Sequence, residues 1–226
     1  MLGTSKDNQS LRAALGLLRG ADRFMRQVHP QNAELFKGLA SSQSPHTLFL
    51  ACCDSRIVPE LITQTQPGEL FVSRNIGNIV PAYGEMLGGV SAVIEYAVMV
   101  IGVQQIVICG HSDCGAMKGL LGPPLTHMPT VSSWLRNAEA ARSVVLTREL
   151  PPDQALRAMI EQNVRLQLAH LRTHPSVSAS LAKGTLTLHG WVYDIEHGNV
   201  SIVVDGVTEL VSVSDAITWL ESEIGT

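Results

Sequence analysis

Short apolar runs of strand length alternate with longer segments of helical length along most of this chain. The runs at 46–53 and 104–110 are almost continuously apolar, which is typical of strands that are covered on both faces. The segments at 86–101, 129–148 and 153–172 are too long for strands, and we predict a helix in each, the first of them buried. Buried strands that alternate with helices predict an α/β fold, with a mainly parallel β-sheet flanked by helices.

The remaining segments fit the same architecture. We predict a short helix at 32–40, a loop at 41–45, a helical turn at 59–64, a strand at 69–75, two strands within 185–206 around a turn at His197-Gly198-Asn199, and a closing helix at 214–224. Ser214 or Asp215 is the expected N-cap of the closing helix. Since the sequence contains no repeat and no evident linker, we predict a single domain over 1–226.

The first 45 residues are predicted to form an N-terminal helical arm (1–45) that precedes an α/β body (46–226). Residues 9–28 carry an apolar stripe at helical spacing, and Pro30 is expected to end this helix. The stripe must pack either on the core of its own chain or on a partner subunit. Because 45% of the residues are apolar and only 16% are charged, we expect a homodimer or a higher homo-oligomer built of dimers.

Charge, hydropathy and cysteine usage exclude several classes of protein. The 16 Lys and Arg against 20 Asp and Glu give a net charge of −4, so neither nucleic acid nor an acidic membrane is an expected partner. No apolar run is long enough for a transmembrane helix, and the first residues lack the pattern of a signal peptide. Cys52 and Cys53 are adjacent, which favours thiolate chemistry or metal binding in a cytoplasmic protein over a disulfide framework.

Two clusters of reactive side chains directly follow predicted strands. The first is Cys52-Cys53-Asp54-Ser55-Arg56, and the second is Gly110-His111-Ser112-Asp113-Cys114-Gly115. The carboxyl ends of strands are where ligands bind to open α/β sheets, and thiols with an imidazole are typical zinc ligands. Three protein ligands would make a catalytic site, whereas four would make a structural one.

The same residues also have simpler interpretations. Cys109 lies inside an apolar strand, where we expect it to act as a small buried hydrophobe. Asp54 and Arg56 could form a structural ion pair, or they could orient a group beside a thiolate.

With these motifs in view, the sequence resembles the β-class carbonic anhydrases. The Cys-x-Asp-x-Arg motif of that family is here Cys52-Cys53-Asp54-Ser55-Arg56, and its His-x-x-Cys motif is His111-Ser112-Asp113-Cys114. The segments 67–81, 89–98 and 188–195 are also similar, so the resemblance extends from about residue 12 to about residue 206. It is strongest to bacterial members found beside cyanate-degrading enzymes.

The resemblance implies a zinc enzyme that converts carbon dioxide to bicarbonate. Cys52, His111 and Cys114 would hold one zinc ion per chain, while Cys53 would be a spectator. Asp54 and Arg56 would form the catalytic pair beside the metal, in which the carboxylate held by Arg56 orients the attacking hydroxide. That same arginine would keep Asp54 off the metal.

The resemblance also implies a substrate pocket, which would be shared with a neighbouring subunit. Its expected residues are Gln43, Phe71, Ile76, Tyr96 and Gly115. For Gly115, the simple start of a helix is an equally good interpretation. Phe49 stands where the bicarbonate-closed subtype carries a tryptophan, which favours the plant-like, open subtype.

Two alternatives to this function remain open at this stage. A hydrolase of carbon disulfide or carbonyl sulfide would keep the fold and the metal. A non-catalytic protein with a structural zinc would need a fourth protein ligand, and the intact Asp54–Arg56 pair speaks against it.

Overall fold

A six-stranded, mainly parallel β-sheet forms the centre of the body. The mainly parallel sheet was predicted from the sequence, whereas the short last strand was not. The computed structural model describes residues 5–85 and 88–225. The strands are β1 (Thr47–Cys52), β2 (Leu70–Asn75), β3 (Gln105–His111), β4 (Thr187–Tyr193), β5 (Val200–Val203) and β6 (Val211–Ser212). Their order is β2-β1-β3-β4-β5-β6. The first four strands run parallel, and β5 and β6 are added in antiparallel pairings.

Three helices precede the first strand, and the others lie between and after the strands, in agreement with an α/β architecture. They are α1 (Ser5–Arg23), α2 (His29–Gln31), α3 (Ala33–Leu39), α4 (Pro59–Thr63), α5 (Gly89–Tyr96), α6 (Gly115–Leu121), α7 (Pro129–Leu135), α8 (Glu139–Leu146), α9 (Pro152–Leu171), α10 (Pro175–Ala182) and α11 (Val213–Ile224). Wider π-helical turns at Phe24–Val28 and Ala97–Ile101 extend α1 and α5, and 3-10 turns occupy Ile76–Asn78 and Arg136–Ala138. No helix in these described ranges combines the length and the apolar character that a membrane span requires.

The two faces of the sheet bury different side chains, because successive residues of a strand point to opposite sides. Leu48 and Leu50 pack in one core with residues of α5 and α9, whereas Phe49 and Ala51 pack in another with Ile57 and Cys109. Helix α9 crosses β3 and β4 at glycines. A Cβ atom at Gly110 would lie 2.8 Å from Val164 Cγ2, and one at Gly190 would lie 2.9 Å from Val164 Cγ1. Helix α9 therefore sits directly over the middle of the sheet.

The chain divides into two compact units, Met1–Gln43 and Ser44–Thr226. In the first unit the helix continues through Pro30 into α2, so the prediction that Pro30 ends it was wrong. The preceding turn is wide, with the backbone N–H of His29 donating to the Phe24 oxygen five residues back. Pro30 lies in the first turn of α2, where a proline is tolerated because the N–H that it lacks would have no partner within the helix.

Several other boundaries differ from the predictions. The helix predicted at 129–148 is divided by a 3-10 turn at Arg136–Ala138. The N-cap of α11 is Ser212, whose side chain accepts from the Asp215 backbone N–H, and not Ser214 or Asp215. Within the helix predicted at 86–101, residues 86–87 lie outside the described residues. The prediction that this helix is buried is wrong for its last turns, since Met99 and Val100 are both 66% exposed.

Candidate metal centre and active site

Three potential metal ligands meet at the carboxyl end of two neighbouring strands. Cys52 is the last residue of β1, His111 is the last residue of β3, and Cys114 immediately precedes α6. One ligand atom from each, two sulfurs and one ring nitrogen, lie within 4.8 Å of one another. Cys52 is 6% exposed and the other two are 1% exposed. The sequence expectation that these three residues come together is therefore matched by the geometry.

The loop after β3 has the backbone shape that this meeting requires. Asp113 adopts a left-handed conformation with φ of 60°, which turns the chain so that Cys114 follows His111 into the cluster. The Nδ1 atom of His111 lies 2.8 Å from the Ser112 carbonyl oxygen, so this nitrogen is the donor and Nε2 is left with the lone pair. Nε2 is buried without a hydrogen-bond partner. A buried acceptor beside two thiols fits a bound metal ion, which would satisfy it.

Hydrogen bonds to the sulfurs favour thiolate character in this cluster. The Cys114 thiol donates to the Cys52 sulfur and, together with the neighbouring His111 ring and against the opposing effect of burial, holds the pKa of Cys52 well below its usual value. Backbone N–H groups of Gly77 and Asp54 also donate to Cys52, while those of Ala116 and Met117 donate to Cys114. The shared proton and burial together raise the pKa of Cys114. A divalent cation displaces that proton, because a metal binds the deprotonated form of both thiols.

The other two cysteines lie outside the cluster. Cys53 is exposed although it adjoins Cys52, since neighbouring residues of an extended segment point in opposite directions. Cys109 is 1% exposed within the core of the opposite sheet face, and burial raises the pKa of its thiol to about 12. The prediction that Cys109 is a small buried hydrophobe is confirmed.

Asp54 and Arg56 form a bidentate ion pair next to the cluster. Arg56 Nε and Nη2 donate to the two carboxylate oxygens of Asp54 over 2.9 and 2.8 Å, and the Arg56 backbone N–H adds a third bond of 3.0 Å. These bonds hold the pKa of Asp54 well below its usual range. The carboxylate is therefore ionised and fixed in direction, with the Asp54 side chain 18% exposed.

Two further residues fix this pair, and sequence reasoning gave neither of them a role in it. Asp113 accepts from Arg56 Nη1 over 3.0 Å and also pairs with Lys118, so the second motif holds the far side of the guanidinium. Arg74 donates to the carbonyl oxygens of Cys52 and Asp54 over 2.9 and 2.5 Å. It stands beside Ala51 in the β1–β2 register, and only that strand pairing shows that it reaches the first motif.

The predicted pocket residues are distributed over several elements. Phe71 and Tyr96 contact each other with ring centroids 6.1 Å apart. Ile76 is 43% exposed, and its carbonyl oxygen accepts from Trp134 Nε1 over 2.8 Å. Gly115 begins α6, and the amides that reach Cys114 belong to the next two residues. Gln43 is exposed at the end of the first unit. Binding of substrate by these five residues stays a prediction.

The arrangement combines a soft metal-ligand set with a fixed anion. Two sulfurs and one imidazole nitrogen suit zinc, and three protein ligands leave a coordination position open in a tetrahedral site. Within the residues that the structure describes, this is the cluster of His, Cys, Asp or Glu that could hold a metal. A carboxylate that cannot rotate can accept a proton or a hydrogen bond from a molecule at the open position.

Comparison with known proteins gives a consistent result. The sequence profile of the carbonic anhydrase family matches residues 47–200. The chain is 51% identical over 201 residues to a carbonic anhydrase of Pseudomonas aeruginosa, which covers 88% of this chain and 91% of that protein.

Two solved structures show the same fold. That of the β-carbonic anhydrase CcaA has a TM-score of 0.86 and 39% identity, and the match covers 89% of this chain and 92% of that one. One of two tetrameric β-carbonic anhydrases from Sordaria macrospora has a TM-score of 0.74 and 29% identity, and the match covers 88% of this chain and 100% of that one.

Proposed function

This chain belongs to the β-carbonic anhydrase family and catalyses the reversible hydration of carbon dioxide to bicarbonate, and we propose that it does so at one zinc ion held by Cys52, His111 and Cys114. One observation carries the assignment of the ligands. The buried Nε2 atom of His111 has no nitrogen or oxygen partner, and a ring nitrogen of this histidine lies within 4.8 Å of the sulfurs of Cys52 and Cys114. When bound, zinc supplies a Lewis acid that brings the pKa of a water molecule to about 7.

Asp54 orients the attacking hydroxide in this proposal. Carbon dioxide is apolar and electrophilic at carbon, so the rate depends on aiming an oxygen lone pair at that atom. An ionised carboxylate held by three bonds from Arg56 accepts the hydrogen of the hydroxide and leaves the lone pair free. The strongly lowered pKa of Asp54 keeps this acceptor charged throughout the physiological range.

Arg56 has a second task, which is to keep Asp54 away from the metal. Its guanidinium engages both oxygens of Asp54 and is in turn anchored on Asp113. A carboxylate held at both oxygens cannot turn toward the open coordination position, although Oδ2, which accepts a single bond from Arg56, can still accept a hydrogen bond from a molecule there. The ion pair therefore preserves the place at which water binds.

The substrate pocket is proposed to be completed by a second copy of the chain. Tyr96, Met99 and Val100 lie on one helical face and are 47%, 66% and 66% exposed. Phe71 contacts Tyr96 from the edge strand β2. Burial of this face in a homodimer, or in a higher oligomer built of dimers, would give carbon dioxide the apolar surroundings that it favours. Tetrameric structures among similar proteins support this assembly.

Two finer expectations belong to the same proposal. All four cysteines are free, and zinc thiolates persist in reducing compartments, so we expect a cytoplasmic enzyme. The link to cyanate degradation comes from the sequence resemblance, and growth on cyanate of a strain that lacks the protein would test it.

The deciding experiment measures zinc content and the rate of carbon dioxide hydration on the same purified sample. We expect about one zinc per chain and a hydration rate that is lost on zinc removal and restored by zinc. Carbonyl sulfide and carbon disulfide, assayed in parallel, should be turned over far more slowly. A protein that hydrates carbon dioxide at full rate without zinc would refute the assignment.

A further inference from the structure

Two amide side chains on α9 are buried where the surrounding core is apolar. Asn163 is 1% exposed and Gln167 is 0% exposed, one helical turn apart. Gln167 Nε2 donates to Asn163 Oδ1 over 2.8 Å. Burying two amides is costly unless their polar atoms are bonded, so their remaining bonds indicate what the pair is for.

Both remaining bonds reach the same short segment, residues 76–80, which follows β2. Asn163 Nδ2 donates to the Gly77 carbonyl oxygen over 3.0 Å, and Gln167 Oε1 accepts from the Val80 backbone N–H over 2.8 Å. The amide pair therefore ties this segment to the helix that crosses the centre of the sheet. The segment needs such support, because Gly77 and Asn78 both have left-handed backbone angles, with φ of 78° and 47°.

This segment lies next to Cys52 and to the first turn of α6, which follows Cys114. The segment follows directly on Asn75, which pairs with Cys52 in the β1–β2 register, and the Gly77 backbone N–H contributes to the lowered pKa of Cys52. A Cβ atom at Gly77 would lie 3.0 Å from Ala116 Cβ and 3.0 Å from Met117 Cε, so the segment packs closely on the first turn of α6. Ala116 and Met117 supply the N–H groups that reach Cys114. Displacement of Gly77 would therefore disturb the surroundings of both thiolates.

We infer that Asn163 and Gln167 are positioning residues of the metal centre, because they hold the 76–80 segment in place beside Cys52 and against the first turn of α6. The inference rests on the proposed zinc site. A hydrogen bond to a thiolate reduces the electron density that it gives to the metal, and a metal with less electron density is the better Lewis acid. Outer-shell partners of this kind change metal affinity or activity by about 10- to 100-fold.

The test uses two near-isosteric variants, Asn163→Leu and Gln167→Met, together with a matched control. Leu171→Ala is the control, because Leu171 is fully buried on the same helix and belongs to the apolar core. It should lower the melting temperature through packing alone. The readouts are the rate of zinc release to a chelator and the thiolate-to-metal absorption band of the cobalt-substituted protein, neither of which depends on activity.

We expect both amide variants to release zinc about 10- to 100-fold faster than wild type, because a displaced 76–80 segment no longer holds Cys52 and α6 in the geometry that binds the metal. Their cobalt band should move to lower energy, since a sulfur that has lost its hydrogen bond gives up electrons more readily. The midpoint of the pH–rate profile should also rise. Leu171→Ala should move none of these three.

Unchanged zinc release and an unchanged cobalt band in whichever variant folds would overturn the inference, as would an equal change in Leu171→Ala. A wild-type protein that binds no zinc would instead refute the proposed function itself. The two failures are therefore distinguishable in one set of samples.

Discussion

The ligand cluster, Cys52 with His111 and Cys114, and the apolar face, Tyr96 with Met99 and Val100, differ in how complete they are within one chain. All three members of the cluster are at most 6% exposed, while those of the apolar face are at least 47% exposed. The cluster also has its supporting hydrogen bonds in place. We infer that a single chain holds the chemical groups and that assembly supplies the surroundings of the substrate.

The largest expected effect separates two adjacent residues. Cys52→Ala should abolish zinc binding and hydration, because it removes a ligand from a three-ligand site. Cys53→Ala should retain both, since Cys53 is exposed and outside the cluster. Metal analysis and a hydration assay on both variants check this, with His111→Ala and Cys114→Ala expected to behave like Cys52→Ala. Full zinc in Cys52→Ala, or its loss in Cys53→Ala, would show that the register is wrong.

Arg56→Ala should have the next largest effect. It should retain zinc but lose activity near neutral pH. Freed from its bidentate partner, Asp54 would swing into the open coordination position as a fourth protein ligand. Rising pH should restore part of the rate, as hydroxide competes with the carboxylate. A pH–rate series with parallel zinc analysis checks this, and an unchanged rate at pH 7 would contradict the gating role of Arg56.

Asp54→Asn should lower the hydration rate less than Arg56→Ala does. The amide fills the same space and keeps zinc bound, but it is a poorer acceptor than the carboxylate. Loss of a charge-assisted hydrogen bond of about 1.5–3 kcal/mol corresponds to a rate about 10- to 150-fold lower. A wild-type rate in a zinc-loaded Asp54→Asn protein would return Asp54 and Arg56 to a purely structural ion pair.

A charge placed on the apolar face tests the other side of the comparison. Val100→Glu should weaken self-association and lower activity together, while zinc stays bound, because the cluster is complete within one chain. Val144→Glu is the control, since Val144 is an exposed apolar residue, at 44%, on α8. Light scattering and the hydration assay decide the outcome. A fully active Val100→Glu monomer would refute the shared pocket.

The smallest expected effect concerns histidines outside the cluster. Burial lowers the pKa of His174 and of His189 below the usual value of 6.5. The unfolded chain therefore binds more protons than the folded one in mildly acidic solution, and the free energy of unfolding should fall as pH drops below about 6.5. Denaturant titrations from pH 8 to pH 5 check this. His174→Asn should reduce the dependence, and an identical pH profile would contradict it.

The sequence was sufficient for the parallel sheet and for the meeting of the three ligands. The sheet and the meeting of the two motifs follow from local pattern, because apolar runs mark the strands and the carboxyl ends of parallel strands share one edge. The choice of Cys52, rather than Cys53, as a ligand came from the family resemblance. It could not show the roles of Asn163 and Gln167, which look like polar positions of an amphipathic helix until the 76–80 segment is seen to pass beneath them. Its apolar pattern also did not show that Met99 and Val100 would be exposed, since an apolar residue that packs on a partner subunit cannot be told from a core residue by sequence alone.

The coordination of zinc in the wild-type protein tests the central claim most directly. X-ray absorption at the zinc edge of the purified enzyme counts the sulfur neighbours at about 2.3 Å and the lighter neighbours at about 2.0 Å. We predict two sulfurs, one imidazole nitrogen and one further light atom. A count of one sulfur or three, or a site without an imidazole, would contradict a centre built from Cys52, His111 and Cys114.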